Sequence, residues 1–251
     1  MKIALVTGAS SGMGREAACF LAEHAKKLDE IWLVARRKEE MKKLGKQYPN
    51  VNFRIFAMDL LEETDEDELI LALNVSKPKI KFLVNASGFG KIGSFCETSE
   101  KDNTNMVRLN CEALTRMTYI ALPYMQENSY ILQFASSAAF LPQPGFSVYA
   151  ASKSYVLSFS RALNQELKAR KIHVTAICPG PVKTEFFDIA QEKAEIKLYK
   201  KLVMANPKKV VKKAFLDAKK GKVVSVYGCT MKAFRGLCKV LPHQFILKFI
   251  K

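Results

Sequence analysis

The sequence predicts an α/β protein built as one doubly wound parallel sheet with helices on both faces. Three observations carry that expectation. Short apolar runs alternate with longer segments of helical period along the whole chain. The first strand runs straight into a glycine-rich turn, Thr7-Gly8-Ala9-Ser10-Ser11-Gly12-Met13-Gly14, that opens a helix. No internal repeat, low-complexity linker or composition break divides the 251 residues. Residues 1–251 are therefore expected to form a single domain with a sizeable core.

The elements follow in order. Lys2–Val6 is a short apolar strand, and Arg15–Lys27 places Ala18, Leu21, Ala22 and Ala25 at helical spacing. Ile31–Ala35 reads as a buried strand, Lys38–Gln47 as a charged helix and Val51–Met58 as a strand ending at Asp59. Glu62–Asn74 predicts a helix and Ile80–Asn85 a strand. A loop through Gly88 and Gly90 leads to a long helix over Thr104–Glu127, interrupted near Pro123. Tyr130–Ala135 is a strand, and a loop with Pro142, Pro144 and Gly145 precedes a helix over Val148–Arg170. Ile172–Cys178 is a strand stopped by Pro179-Gly180, Lys208–Lys219 is helical, and Val223–Tyr227 is the last strand. Right-handed crossovers between such strands give a doubly wound sheet covered on both faces.

Composition narrows the class. Hydrophobic residues make up 49% of the chain and the mean hydropathy is -0.04, as in a soluble globular protein. No apolar run reaches 18 residues, so no transmembrane helix is expected. The apolar start is too short for a signal peptide and reads as the first strand, which points to the cytoplasm. Six cysteines without a CxxC pair are expected to be free thiols. His24, His173 and His243 are scattered away from any cysteine pair, so no metal site is expected. The charge is uneven: residues 191–251 hold 16 basic and 3 acidic residues, most of the net +16. No nucleic-acid-binding motif accompanies that charge.

In a doubly wound sheet a nucleotide sits outside the carboxyl ends of the strands. Gly8, Gly12 and Gly14 let the backbone approach a pyrophosphate at a helix N-terminus, and Ser10 and Ser11 add hydroxyl donors. The spacing is G-x3-G-x-G rather than G-x-G-x-x-G. The second strand ends at Ala35, followed by Arg36 and Arg37 where a 2′-hydroxyl cofactor would favour an acid. A charged hydrogen bond from Arg36 to a 2′-phosphate contributes about 1.5–3 kcal/mol. Together with the glycine turn this favours NADP(H) over a solvated pair of arginines. Asp59, before Leu60, reads either as a contact to the adenine edge or as a helix N-cap.

Tyr149-Ala150-Ala151-Ser152-Lys153 places a phenol and an ammonium four residues apart, on one helical face. An ammonium about 4 Å from the phenol favours the phenolate by up to ~4 kcal/mol at intermediate dielectric. Such a Tyr can give or take a proton at a carbonyl or alcohol oxygen.

Taken in register, these pieces resemble the short-chain dehydrogenase/reductase family over nearly the whole chain. The matching residues are Thr7 to Gly14, Asp59-Leu60, Asn85-Ala86-Ser87-Gly88, Asn110, Ser136, Tyr149, Lys153 and Pro179-Gly180-Pro181-Val182-Lys183-Thr184. The Ser136–Ser160 stretch and the basic tail look like a bacterial subgroup. The resemblance implies a Rossmann fold and a catalytic tetrad. Tyr149 would be the general acid/base, with Lys153 lowering its pKa and binding the nicotinamide ribose. Ser136 would hold the substrate oxygen, with Ser137 as the alternative. Asn110 would hold a water linking Lys153 to solvent; read alone, Asn110 fits a surface Asn and Ser136 a core hydroxyl bonded to backbone. Gly8, Ser10, Ser11, Gly12, Met13, Gly14, Arg36, Arg37, Asp59, Leu60, Asn85, Ala86 and Ser87 would bind the cofactor. Tyr149, Lys153, Pro179, Gly180, Val182 and Thr184 would complete that set. The family often has Asn-Asn-Ala-Gly where this chain has Asn85-Ala86-Ser87-Gly88, so a side-chain bond at position 86 is lost.

The substrate end is read from apolar residues. Residues 185–206 are expected to form a lid carrying Phe186, Phe187, Ile189, Ile196, Leu198 and Val203. Phe89, Phe140, Leu141 and Phe146 are expected on the opposite wall, a lining that suits a small hydrophobic carbonyl or alcohol. A hydroxysteroid or bile acid, an acyl ketone and an aromatic carbonyl all fit. Residues 229–251 form a basic extension broken at Pro242. It reads either as helices packed over the cleft or a neighbouring subunit, or as a peripheral membrane contact. The resemblance further implies a homodimer or homotetramer through the two long helices. The competing readings are a non-catalytic NADP-binding regulator and a membrane-surface protein on the same fold.

Overall fold

The computed structural model describes residues 1–186, 190 and 204–248. Seven parallel strands form one sheet in the order β3-β2-β1-β4-β5-β6-β7. The strands are β1 (Lys2–Thr7), β2 (Glu30–Ala35), β3 (Phe53–Ala57), β4 (Lys79–Asn85), β5 (Met125–Phe134), β6 (His173–Ile177) and β7 (Val224–Ser225). The order reverses between β1 and β4, which opens a crevice beyond their carboxyl ends.

Alternation along β1 shows how the layers form. Ile3 and Leu5 point to one face, Ala4 and Val6 to the other. The first face is covered by α3 (Asp67–Ser76), α5 (Leu114–Ala121) and α6 (Ser147–Glu166) through Leu69, Leu73, Met117 and Leu163. The second is covered by α1 (Gly12–His24), α2 (Lys38–Gln47) and α7 (Pro207–Lys219) through Leu21, Met41, Leu44 and Phe215. Burial on both faces is why the strands read as near-continuous apolar runs.

The long helix expected over Thr104–Glu127 is built differently. It starts earlier, as α4 (Glu100–Val107), because Ser99 accepts the Asp102 N–H as an N-cap. A π-helical turn follows over Arg108–Ala113, then α5 ends at Ala121. Pro123 sits in a single 3-10 turn over Leu122–Tyr124, and the chain is already extended from Met125. The Glu62–Asn74 helix likewise opens with a 3-10 turn, Glu63–Glu66.

The C-terminal extension folds back on the body. Helices α8 (Cys229–Val240) and α9 (His243–Leu247), separated by Pro242, bury Cys238 and Ile246 against Phe140, Leu141 and Val156. Phe234 lies 6.4 Å from the Phe140 ring, and Met231 covers Gly180. Phe140 and Leu141 are therefore in the core beneath the tail, a correction to the cleft wall expected for them. Among the described residues no helix is long and apolar enough to cross a membrane.

Candidate active site

The glycine turn is built by close approach. Gly8 has φ +68°, and a Cβ there would lie 2.9 Å from the Ala86 carbonyl carbon. A Cβ on Gly14 would lie 2.2 Å from the Gly8 carbonyl oxygen, so neither position admits a side chain without displacing backbone. Thr7 Oγ1 accepts the N–H groups of Ala86 (3.1 Å) and Ser87 (3.3 Å), locking the turn to the loop after β4. Helix α1 then starts at Gly12, with Ser11 at its N-cap making no side-chain cap bond.

A groove of about 510 Å³ runs from this turn across the carboxyl ends of the strands. Gly8, Ser10, Ser11, Gly12 and Met13 line it near the turn, Arg36, Arg37, Asp59 and Leu60 at one end. Ala86, Ser87, Tyr149, Lys153 and Thr184 line its other end. The remaining residues expected to bind the cofactor lie behind that surface. Gly14 packs on Gly8, and Gly180 packs under Met231. Asn85 points into the core, where its amide donates to Thr118 Oγ1 and Gln133 Oε1, both at 3.0 Å. The Pro179 carbonyl accepts the Ser137 N–H (2.8 Å), and Val182 is buried in a bridge to Ala205. These five shape the groove rather than line it, because close packing or hydrogen bonding already occupies them.

At the β2 end, Arg36 Nη1 lies 3.7 Å from Asp59 Oδ2. Arg37 donates to Glu185 Oε2 (2.9 Å) and to Ser10 Oγ (3.4 Å). Asp59 Oδ1 accepts the Leu61 N–H (3.1 Å), so it caps a turn as well as facing the groove. Two arginines hold the next backbone carbonyls: Arg108 bonds Leu61 O (2.6 Å) and Arg116 bonds Leu60 O (3.0 Å). Arg116 also forks onto the buried Glu66.

The reactive side chains meet at the other end. Ser136, rather than Ser137, is the serine that acts on the Tyr149 phenol, favouring its ionised form, and its Oγ accepts the Ala138 N–H at 3.1 Å. The Tyr149 ring is stacked by Phe146 at 4.2 Å and met by Phe186 at 5.4 Å. Gly90 presses on it so closely that a Cβ would lie 2.7 Å from the ring. Burial pushes the Tyr149 phenol up to about 12, and the Ser136 hydrogen bond pulls the other way. Lys153 donates to Phe134 O (2.9 Å), with its nitrogen 5.7 Å from the Tyr149 ring centre. Burial brings its amine down to about 8. The ammonium-lowered phenol expected from the four-residue spacing is thus reversed. Desolvation outweighs the ammonium, which is turned onto a carbonyl.

Asn110 sits in the π-helical turn and is fully buried. It accepts the Phe89 N–H (3.1 Å) and donates to Phe89 O (2.9 Å) and Ser152 Oγ (3.0 Å). The surface reading of this Asn is therefore overturned. Gly88 lets Asn110 and Lys153 converge: a Cβ there would lie 2.6 Å from Asn110 Oδ1 and 3.2 Å from Lys153 Nζ. Ser152, which also bonds Tyr149 O at 2.7 Å, is a site residue the sequence reading missed. Its signal was present, because position i+3 from Tyr149 shares the helical face. Phe89, Asn105 and Leu109 also line the groove. Of the lid, Glu185, Phe186, Ala190 and residues 204–206 are described; Phe187, Ile189, Ile196, Leu198 and Val203 lie outside the described residues.

The groove fits a dinucleotide. A side-chain-free cradle faces the α1 N-terminus, where an anionic pyrophosphate is favoured, and two arginines stand at the β2 end.

The comparisons agree with that geometry. The short chain dehydrogenase family model matches residues 2–195. The chain is 31% identical over 218 residues to a very-long-chain 3-oxoacyl-CoA reductase of Phaeosphaeria nodorum, covering 83% of this chain and 61% of that protein. Thus it spans about three fifths of that relative's length. Among solved structures, a Burkholderia phymatum short-chain dehydrogenase/reductase in complex with NAD aligns with TM-score 0.81 at 20% identity. That alignment covers 100% of this chain and 95% of the other. A Sphingobium yanoikuyae short-chain dehydrogenase in complex with NADPH aligns with TM-score 0.76 at 24% identity, covering 100% and 97%. The protein belongs to the short-chain dehydrogenase family, a family of oxidoreductases.

Proposed function

We propose that this protein is an NADP(H)-dependent oxidoreductase that interconverts the carbonyl and secondary alcohol of a small hydrophobic substrate. The observation that carries the reading is the buried Tyr149 and Lys153 lining one end of a groove whose other end holds Arg36 and Arg37. The glycine turn and Ser10, Ser11 and Thr184 would hold the dinucleotide. When bound, its nicotinamide supplies or accepts the hydride.

The chain's own residues supply the rest. Ser136 Oγ holds the substrate oxygen, and Tyr149 Oη gives it a proton as negative charge builds there. Burial keeps that proton on Tyr149 at neutral pH, which suits reduction of a carbonyl. The Lys153 charge stabilises the phenolate left behind. Asn110 and Ser152 fix the helix backbone beneath Tyr149. Phe146 and Phe186 exclude water from the phenol ring. Those rings and Phe89 favour a hydrophobic ketone, and the 3-oxoacyl-CoA reductase among the relatives favours the acyl-ketone choice within that class. The assembly is a homodimer or homotetramer through the α4–α6 face, where Val107, Tyr119 and Tyr155 are exposed.

One surface favours a further contact. Leu237, Val240 and Phe245 are exposed on α8 and α9 beside Lys232, Lys239 and Lys248, a basic apolar edge suited to an anionic membrane. Sedimentation with anionic vesicles at low salt tests it, and failure to bind removes the membrane contact.

The central test is a panel of hydrophobic ketones with NADPH, read by loss of nicotinamide absorbance. Turnover of at least one is expected. NADPH binding without turnover across acyl, steroid and aromatic ketones would favour the regulator instead. A tighter dissociation constant for NADH than for NADPH would overturn the cofactor assignment.

A further inference from the structure

Arg37 is already engaged. Its guanidinium meets Glu185 at 2.9 Å while its Nε reaches Ser10 Oγ at 3.4 Å. Glu185 comes from a distant part of the chain, 148 residues away. Its place is fixed from both sides. A Cβ on Gly12 would touch the Thr184 side chain at 3.6 Å, so the loop crosses the start of α1. Before it, the Lys183 N–H donates to Ala205 O (3.1 Å) and the Ala205 N–H to Pro181 O (2.8 Å), pinning the loop's base. After it, Phe186 lies on the Tyr149 ring. Glu185 is therefore held over the groove, with its carboxylate on the guanidinium that also reaches Ser10 of the glycine turn.

We propose that Glu185 sets the strength of 2′-phosphate recognition by competing with that phosphate for Arg37. The proposal rests on the NADP(H) reading above. The carboxylate and a phosphate dianion are two anions seeking one fork-shaped donor, and each disfavours the other. Both side chains are about half exposed, so the resident pair is weak and exchangeable. Asp59 stands in the same relation to Arg36, but at 3.7 Å and while capping Leu61. Glu185 makes no such backbone bond among the described residues, so its carboxylate is the one whose removal changes charge without disturbing a turn. The chain thereby moderates its own preference for the phosphorylated cofactor.

The test uses adenosine 2′,5′-bisphosphate and 5′-AMP, titrated calorimetrically into the full chain, Glu185→Gln, Arg37→Gln and the double variant. In Glu185→Gln, the bisphosphate should bind about three- to fivefold more tightly at low salt, with 5′-AMP unchanged. That gain should vanish in the Arg37→Gln background. The proposal is overturned if the wild type prefers the bisphosphate but Glu185→Gln leaves it unchanged or weaker. Equal binding of the two nucleotides by the wild type is a different result: it removes the NADP(H) reading, and the proposal with it.

Discussion

Replacing Lys153 by Met is expected to stabilise the protein while damaging its chemistry. Lys153 is buried, and its amine falls from 10.5 to about 8. At pH 7 the folded chain must still charge it, at a cost of about 3 kcal/mol relative to the unfolded chain. Met has similar length and carries no charge. The variant loses the bond to Phe134 O, a charged hydrogen bond contributing about 1.5–3 kcal/mol at most. The net expectation at pH 7 is a gain of about 1 kcal/mol. The pH dependence has a definite sign. Between about 8 and 10.5 the unfolded chain holds a proton that the folded chain has released, so wild-type stability rises with pH across that window. The variant lacks this rise, and the gap between them should close or invert. Urea unfolding reads it, with the single, fully buried Trp32 as the fluorescent probe. A variant less stable than wild type at pH 7, with a gap that stays constant to pH 10, would refute the reasoning.

Other expectations follow from the same contacts. Gly88→Ala should lower turnover at least tenfold with folding retained, because the new methyl displaces Asn110 and Lys153; unchanged kcat in steady-state assays would contradict this. Arg116→Ala leaves Glu66 buried without its fork and should lower stability by about 3 kcal/mol in denaturant titration. It should also weaken adenosine binding, since Leu60 O loses its donor. Reductive kcat/KM should fall as pH rises through about 8, where Lys153 gives up its proton; in Lys153→Met that limb should be absent from the pH–rate profile.

The fold was legible because its signals are local and redundant. Apolar runs, a glycine turn and Pro179-Gly180 each mark one boundary, and parallel strands buried on both faces leave little choice of architecture. The helix carrying Asn110 was read less well. A π-helical turn inserts one residue without changing composition, so hydrophobic spacing reports a continuous helix. At the site, the four-residue spacing of Tyr149 and Lys153 predicts the shared helical face they occupy, though it took the rest of the ordered motif to single the pair out. Asn85, Val182 and Gly180 were assigned to the groove but sit behind it, because which face of a loop reaches a groove depends on contacts such as Thr118 and Met231. The phenol's proton affinity was misjudged for a similar reason. Spacing gives proximity, but burial and the direction of the Lys153 bond are three-dimensional facts. The Arg37–Glu185 pair joins residues 148 apart, and no local pattern announces it.

The account rests most heavily on Tyr149 as the proton donor at the substrate oxygen. Tyr149→Phe keeps the ring between Phe146 and Phe186 and removes only the hydroxyl. With a ketone the wild type reduces, the variant should still bind NADPH and lose about 10²–10⁴-fold in kcat. Turnover equal to wild type, with the same cofactor affinity, would contradict the mechanism.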